Sequence, residues 1–214
     1  EEGVLFIEDL LQTQLSPFFK KSHYYVLSGP SFADELAQGD RTQVHLAGYN
    51  KKKLNRLKEL IETKTFKVTP SADVKGVAFA GAVKNVIAIL GGVTKGLNLP
   101  QNSQTALILR GTEEIMKIGE SLGVKKETYL GPAYFGDVIL SLSQSSRNSR
   151  LGLAMGKGDG EIFLALQPRS SLEGANTIKE LYKHTRGKKD YQLINRLYNI
   201  LYKGKSPKLI LKAF

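Results

Sequence analysis

Apolar residues alternate or cluster in three short stretches near the start of the chain and recur at helical spacing elsewhere. The runs at residues 24–28, 42–47 and 65–70 are rich in β-branched and aromatic residues and predict strands. Residues 4–16 and 51–64 carry leucines at helical spacing and predict helices around these strands. The first helix is predicted to direct Val4, Leu5, Leu10, Leu11 and Leu15 inward. An alternation of strands and helices is typical of part of an α/β sheet.

From residue 77 onward the pattern predicts helices and no further strand. The predicted helices cover residues 77–92, 104–122, 126–129, 135–142, 149–155, 171–184 and 191–202, with Asn102 or Ser103 as the cap of the second. The chain is therefore predicted to be mainly α. An α/β part occupies residues 1–75 and an all-helical part occupies residues 76–214.

One predicted helix is apolar on nearly every side but carries a single cation, Lys84. Residues 77–90 read VAFAGAVKNVIAIL, which predicts a buried helix. The face that Lys84 occupies otherwise holds only small residues, namely Ala80, Gly81, Ala88 and Gly91. Such a face leaves room for another group near the backbone. Lys84 could either extend its ammonium group to water or act on a substrate as an acid or base, and the helix alone leaves both open.

Two further polar residues, Ser31 and Asp137, could carry chemistry. Ser31 follows Gly29 and Pro30 between a strand and a helix, where backbone N–H groups can hold an anion or Ser31 can cap the helix. Asp137 lies between apolar residues and could either pair with a cation such as Lys84 or cap a helix at residue 138.

The most polar segment of the helical part contains Ser146, Arg147 and Asn148. Arginine offers a planar fork that suits phosphate, and the serine and asparagine add neutral donors, although a solvated loop has the same composition. Residues 156–160 read GKGDG, which is not in the GxGxxG register of dinucleotide-binding loops and predicts a surface turn.

Composition limits the classes of site that the chain can contain. Of its 214 residues, 41% are hydrophobic and 24% are charged, as in ordinary globular proteins. The absence of cysteine excludes disulfides and thiolate chemistry and fits a reducing compartment. The three histidines are scattered, so we expect no metal site. The acidic N-terminus is unlike a secretory signal, and the apolar runs predict no membrane span.

The net charge of +11 raises the question of a nucleic-acid partner. Residues 178–214 contain ten Lys or Arg and two acids, but these are dispersed through an amphipathic pattern typical of solvated helical faces. No nucleic-acid-binding motif accompanies them. A small phosphorylated substrate accounts for the charge equally well, so we expect no nucleic acid.

Six segments together resemble the NAD(P)-dependent glycerol-3-phosphate dehydrogenases. They are residues 27–33, 81–88, 109–111, 136–137, 146–148 and 172–174, in the family's order and close to its spacing. The resemblance covers nearly the whole chain but not the first strand and GxGxxG turn of the family. It implies that residues 1–75 are the last strands and helices of a Rossmann-type dinucleotide-binding domain. Residues 76–214 would be the substrate-binding and catalytic domain, and this portion alone is expected to be inactive.

The resemblance also implies an activity and roles for individual residues. The activity is reversible reduction of dihydroxyacetone phosphate to sn-glycerol 3-phosphate with NAD(P)H, which feeds glycerophospholipid synthesis. Lys84 matches the catalytic lysine, and Asp137 matches the acid that binds substrate and orients the lysine. The residues matching substrate contacts are Gly29, Ser31, Lys84, Asn85, Asp137, Ser141, Ser146, Arg147 and Asn148. Those matching contacts to NAD or NADP are Ala33, Arg147 and Glu173.

A cytoplasmic homodimer is the assembly that the resemblance implies. The chain departs from the family pattern at Ala78, Ala80, Tyr134 and Phe135, which could narrow the pocket. Two other hypotheses about the function stay open. One is a related dehydrogenase acting on a hydroxy acid or hydroxyacyl substrate, and the other is a non-catalytic basic helical module that binds a partner.

Overall fold

The structure, a computed structural model, describes residues 6–143, 146–160 and 173–213. The helices are α1 (Ile7–Gln14), α2 (Ala33–Ala37), α3 (Lys51–Ile61), α4 (Val74–Gly96), α5 (Gln101–Ser121), α6 (Lys126–Tyr129), α7 (Asp137–Ser141), α8 (Arg147–Lys157), α9 (Glu173–Thr185) and α10 (Gln192–Lys203). The strands are β1 (Tyr25–Ser28), β2 (Thr42–Gly48) and β3 (Phe66–Ser71). A π-helical turn, Pro132–Gly136, leads into α7, and 3-10 turns occupy Lys21–His23, Lys189–Tyr191 and Pro207–Ala213. The predicted mainly α fold is confirmed. The predicted helix starts at residues 4 and 171 lie outside the described residues.

The chain forms two compact units, and each unit is made of segments that are not continuous in sequence. The helical unit contains Ala82–Ile118 and the described residues from Val138 onward. The sheet unit contains the described residues up to Gly81 together with Gly119–Asp137. The predicted division between residues 75 and 76 concerns the domains of a whole enzyme and stays a prediction.

The sheet unit is built on three strands in the order β1-β2-β3. β1 runs antiparallel to β2, and β2 runs parallel to β3 with Val44 opposite Val68. Leu54 of α3 joins Val44, Leu46 and Val68 in the core on one face of the sheet. Because β2 is the central strand, nearly all of its residues are buried.

The predicted inward face of α1 is wrong. Leu10 and Leu15 were expected in the core, but they are 46% and 49% exposed. Glu8 is buried instead, where it accepts a hydrogen bond from the Tyr49 hydroxyl and pairs with Lys21 at 2.9 Å. These partners compensate the carboxylate for its lost hydration, so a charged residue occupies the side that periodicity assigned to leucine.

Asp73 fixes the start of α4, three residues before the predicted position. Its Oδ1 accepts the backbone N–H of Gly76 at 3.0 Å, which caps the helix. Its Oδ2 accepts the N–H of Lys125 at 3.0 Å and the hydroxyl of Thr128 at 2.6 Å. One buried carboxylate therefore joins the start of α4 to the start of α6.

In the helical unit, α4 and α8 approach until their backbones touch. The contact is formed by glycines on both helices, Gly92 and Gly96 on α4 and Gly152 and Gly156 on α8. A Cβ atom on Gly152 would lie 2.0 Å from the carbonyl oxygen of Ile89, and one on Gly96 would lie 2.4 Å from that of Leu153. Only glycine permits this approach. By length and hydropathy α4 could cross a membrane, yet 78% of its most apolar stretch is buried, as in a core helix.

A second buried carboxylate, Glu114, holds α10 against α5. Its two oxygens accept the N–H groups of Leu193 at 3.0 Å and Ile194 at 3.1 Å, in the first turn of α10. Burial raises the pKa of Glu114, while these N–H groups and Arg110 oppose the rise.

The prediction that Asn102 or Ser103 caps α5 is wrong, because both residues lie inside the helix. α5 begins at Gln101, because the carbonyl of Pro100 accepts the N–H of Gln104. Proline is compatible with a helix start because its ring fixes φ near the helical value.

Candidate functional site

Lys84 lies in the part of α4 that belongs to the helical unit. Its neighbours Val83 and Asn85 are 1% and 5% exposed, and Lys84 itself is half-buried. The apolar stretch 77–90, in which Lys84 is the one cation, is therefore helical and largely buried as predicted, although α4 extends beyond it to include Lys75 and Lys95. A half-buried ammonium group has less solvent screening than a surface lysine, so its interaction with a nearby negative charge is stronger.

The small residues beside Lys84 do not all leave free space. A Cβ on Gly91 would lie 2.4 Å from Cδ2 of Leu142 in the helical unit. In the sheet unit, a Cβ on Gly81 would lie 2.6 Å from the hydroxyl of Ser28. Other groups therefore approach the backbone at these two glycines as predicted, and at both positions the group is a side chain of the protein itself.

Three predicted site residues meet around the start of α9. The side-chain amide of Asn85 donates to Oε2 of Glu173 at 3.3 Å, and the N–H of Gly174 donates to Oδ1 of Asn148 at 3.2 Å. A Cβ on Gly174 would lie 2.6 Å from Oδ1 of Asn148 and 2.8 Å from the carbonyl oxygen of Asn85. The glycine therefore lets α4, α8 and α9 meet at one point.

The register of the glycine contact relates Arg147 to Lys84. Gly152 meets Ile89 and Gly156 meets Val93, so α4 and α8 run in the same direction. Gly152 also faces Gly92 and Gly156 faces Gly96, so this register sets Asn148 level with Ala88 and Arg147 level with Ile87, about one helical turn from Lys84.

The first turn of α8 carries the polar residues that the sequence singled out. Ser146 is the N-cap, and its hydroxyl accepts the N–H of Ser149 at 3.4 Å. Arg147 is exposed, whereas Asn148 and Ser146 are 7% and 9% exposed. Ser141, at the end of α7, is 4% exposed. A helix N-terminus with an exposed arginine and buried neutral donors is suited to a phosphate group.

The remaining predicted residues belong to the sheet unit. The hydroxyl of Ser31 donates to the carbonyl of Gly29 at 3.1 Å, and Ser31 and Ala33 are exposed. Phe32 is the residue before α2, so the alternative that Ser31 caps this helix is wrong. Gly29 passes so close to β2 that a Cβ would lie 2.9 Å from the carbonyl oxygen of Gln43.

Asp137 is 2% exposed and is the first residue of α7. Its backbone is already helical, with φ −75° and ψ −29°, because the π-helical turn continues directly into α7. A helix N-cap has an extended backbone, so the alternative that Asp137 caps a helix at residue 138 is wrong. A carboxylate buried to this extent requires hydrogen-bond donors or a cation.

Sequence reasoning missed the glycine contact between α4 and α8, and it gave Gly174 no role of its own within segment 172–174. The available signal was the spacing of four between Gly92 and Gly96 and between Gly152 and Gly156, which is typical of closely packed helices. Within the described residues, no group of three or more His, Asp or Glu side chains could hold a metal ion.

A family model, known relatives and solved structures all point to the same family. Residues 73–212 match the family model described as NAD-dependent glycerol-3-phosphate dehydrogenase C-terminus. The chain is 34% identical over 210 residues to the glycerol-3-phosphate dehydrogenase [NAD(P)+] of Carboxydothermus hydrogenoformans, covering 97% of this chain and 62% of that protein.

Solved structures agree with this comparison. Glycerol-3-phosphate dehydrogenase from Coxiella burnetii matches with a TM-score of 0.76 and 33% identity, over 88% of this chain and 58% of that one. The Plasmodium falciparum enzyme, at 24% identity, matches the fold over 100% of this chain and 61% of that one, with a TM-score of 0.85. The chain thus spans about three fifths of the length of these proteins, and it belongs to the NAD-dependent glycerol-3-phosphate dehydrogenase C-terminus family.

Proposed function

We propose that the chain is the substrate-binding portion of an NAD(P)-dependent glycerol-3-phosphate dehydrogenase. The whole enzyme would reduce dihydroxyacetone phosphate reversibly to sn-glycerol 3-phosphate, for use in glycerophospholipid synthesis. Family membership supports this reaction, and relatives that carry this name match nearly the whole chain. The structural observation that carries the proposal is the meeting of Asn85, Asn148 and Glu173, three of the matched residues, at the start of α9.

Lys84 is the proposed acid and base. When bound, NAD(P) supplies or accepts the hydride at C2 of the substrate. During reduction the ammonium group of Lys84 stabilises the alkoxide that develops on the C2 oxygen and then donates a proton to it. During oxidation the neutral amine accepts the hydroxyl proton of the alcohol. Asp137 is proposed to bind substrate and to orient Lys84, since a buried carboxylate favours a cationic partner.

The first turn of α8 is the proposed phosphate site. Arg147 would form charge-assisted hydrogen bonds to phosphate oxygens, and Ser146 and Asn148 would add neutral donors at the positive end of the helix. Asn85 and Ser141 in the helical unit, and Gly29 and Ser31 in the sheet unit, are proposed as further substrate contacts.

Ala33, Arg147 and Glu173 are the proposed contacts to NAD or NADP. All three are exposed, so each is accessible to a dinucleotide. The side chains of Arg147 and Glu173 fit NAD or NADP. The guanidinium of Arg147 suits the phosphates of the dinucleotide, and the carboxylate of Glu173 can accept hydrogen bonds from the dinucleotide's hydroxyl or amide groups. Residues that distinguish NADH from NADPH by reading the ribose belong to the dinucleotide-binding fold and are not among these three.

The proposal includes a homodimeric enzyme in the cytoplasm with a small phosphorylated substrate as its ligand. The absence of cysteine fits a reducing compartment. Sedimentation of the purified protein tests the assembly, and a single species of monomer mass would remove the homodimer from the proposal.

Substrate selectivity tests the proposed reaction. A chimera in which the N-terminal segment of the Carboxydothermus relative precedes the chain should oxidise NADH or NADPH with dihydroxyacetone phosphate and not with a 2-keto acid. Reduction of the keto acid alone would establish the related hydroxy-acid dehydrogenase instead.

Arg147→Ala tests the phosphate site in the same chimera. Loss of a charge-assisted contact should raise KM for dihydroxyacetone phosphate at least about tenfold. Lys179→Ala, which removes an exposed cation of α9, is the matched control and should leave KM unchanged. Equal KM values for the Arg147→Ala variant and the parent would remove the phosphate assignment.

A further inference from the structure

We propose that the helical unit contains a second anion-binding site, in a cavity between α4, α5 and α8 that uses none of the residues assigned to the reaction. The cavity has a volume of about 510 Å³. Its charged lining consists of Lys95 from α4 and Arg150 and Lys157 from α8. Among the described residues that line it, none is acidic.

The charge of the cavity is the first argument. Three cations around one space repel each other, and a bound anion would relieve this repulsion and gain attraction from all three. Arg150, Leu153 and Lys157 recur at intervals of three and four residues, so they share one face of α8. The two α8 cations are therefore held at a fixed spacing by the helix.

The fixed position of Lys95 is the second argument. Lys95 is half-buried, and its Nζ donates to the carbonyl of Leu142 at 2.8 Å. This bond holds the ammonium group in place and leaves its other N–H groups available to a ligand. A cation that is already positioned loses less side-chain entropy on binding than a mobile surface lysine.

Neutral donors line the same cavity. Gln104 lies in the first turn of α5, where a helix carries partial positive charge, and its amide donates to the carbonyl of Leu99 at 2.8 Å. Asn98 and Ser149 are also in the lining, and Ser149 is 3% exposed. The lining thus combines charged and neutral donors, as phosphate sites do.

The size and charge of the cavity identify the class of ligand. Its volume falls in the range of small-molecule sites and exceeds what a single phosphate fills. Three cations suit a ligand with at least two anionic groups, so the structure assigns a soluble phosphorylated small molecule carrying a diphosphate or a second anionic group. Because α8 also carries Arg147, such a ligand would contact the helix that holds the proposed substrate site.

Calorimetric titration of the chain with pyrophosphate tests the second site independently of the reaction. Arg150→Gln combined with Lys157→Gln removes two charges from the cavity and should weaken pyrophosphate binding at least about tenfold. Lys179→Gln combined with Lys203→Gln removes two exposed charges elsewhere in the helical unit and should leave the affinity unchanged. Circular dichroism confirms that each variant is folded.

Further variants separate this site from the proposed substrate site. Arg147→Ala should leave at least one pyrophosphate site intact, which supports the second site whether or not the proposed reaction is correct. Loss of all binding in Arg147→Ala, or unchanged affinity in the Arg150→Gln, Lys157→Gln variant, would overturn the proposal. Binding to phosphatidylglycerol vesicles without binding to pyrophosphate would also overturn it, because the anion would then be a lipid headgroup.

Discussion

The two units use glycine in different ways. In the helical unit, Gly92 and Gly96 of α4 and Gly152 and Gly156 of α8 meet backbone atoms of the opposite helix. In the sheet unit, Gly48 and Gly131 meet side chains, the rings of Tyr25 and His45. Backbone atoms cannot rotate out of the way, whereas a side chain can adopt another rotamer. Equivalent substitutions should therefore have unequal costs in the two units.

Gly29 is an instructive exception in the sheet unit. It meets the backbone of Gln43 and Val44 at 2.9 Å, as the glycines of the helical unit meet theirs. It is also the glycine of that unit that is proposed to contact substrate. Close backbone approach thus occurs in both units at or near the residues proposed for the reaction.

The largest expected effect is that of Gly152→Ala. The new methyl group would overlap the carbonyl of Ile89, and we expect a loss of about 3 kcal/mol in the free energy of unfolding, despite alanine's higher helix propensity. Urea denaturation measures this loss. Gly136→Ala is the matched control, because its methyl group would lie 3.4 Å from the ring of Pro30, an ordinary contact. A loss at Gly152 no greater than at Gly136 would contradict the rigid backbone contact.

Glu114→Gln should have the next largest effect. Both carboxylate oxygens accept backbone N–H groups of α10, and a glutamine would present an N–H₂ group to one of them. An unsatisfied buried donor costs about 1–3 kcal/mol, so urea denaturation should show a loss of this size. Glu113→Gln is the control, since the side chain of Glu113 is 49% exposed. Equal stability of the two variants would show that Glu114 does not hold α10.

His45 should make the stability of the sheet unit depend on pH. His45 is 7% exposed, and burial lowers its pKa below the ordinary 6.5 while Asp73 opposes the change. The folded state therefore binds the proton less readily than the unfolded state. The stability from neutral His45 is fully present above pH 6.5 and is lost as pH falls through 6.5 towards the lower folded-state pKa.

A variant isolates this contribution. Replacing His45 with Gln should remove a stability change of the order of 1 kcal/mol between about pH 7.5 and pH 5.5. Thermal unfolding at a series of pH values measures it, and His23→Gln, at an exposed histidine, is the control. If thermal stability depends on pH in the same way for the parent and the His45→Gln variant, protonation of His45 is not coupled to folding.

Gly48→Ala should have the smallest effect. A Cβ there would lie 2.6 Å from the ring of Tyr25, which is half-buried and can move. We expect a loss below about 1 kcal/mol in urea denaturation, as for most substitutions that a neighbour can accommodate. A loss as large as that of Gly152→Ala would erase the difference between the two units.

The sequence predicted the elements better than their contacts. Alternation located the three strands and helical spacing located the main helices, because these periods reflect burial of one face. Periodicity could not show that Glu8 would replace Leu10 in the interior, since that depends on Lys21 and Tyr49, which are distant in sequence. It also could not pair α4 with α8, because glycine spacing does not specify a partner.

The candidate site depended on the resemblance more than on residue chemistry. The polar composition around Arg147 is expected of a solvated loop as well as of a phosphate site, so composition alone did not distinguish the two. Asn85 and Glu173 lie 88 residues apart and meet only through the packing of α4 and α9. The apolar stretch around Lys84 left open whether its ammonium group reaches water or acts on a substrate, and a half-buried position is compatible with both.

Single-turnover reduction of dihydroxyacetone phosphate by the Lys84→Met chimera tests the central claim most directly. Without its acid and base, the variant should lose at least about 10²-fold in the rate of the hydride-transfer step while remaining folded. Lys75→Met, which changes another half-buried lysine of α4, should keep the parent rate. A Lys84→Met rate within about twofold of the parent would contradict the claim that this lysine exchanges the proton with substrate.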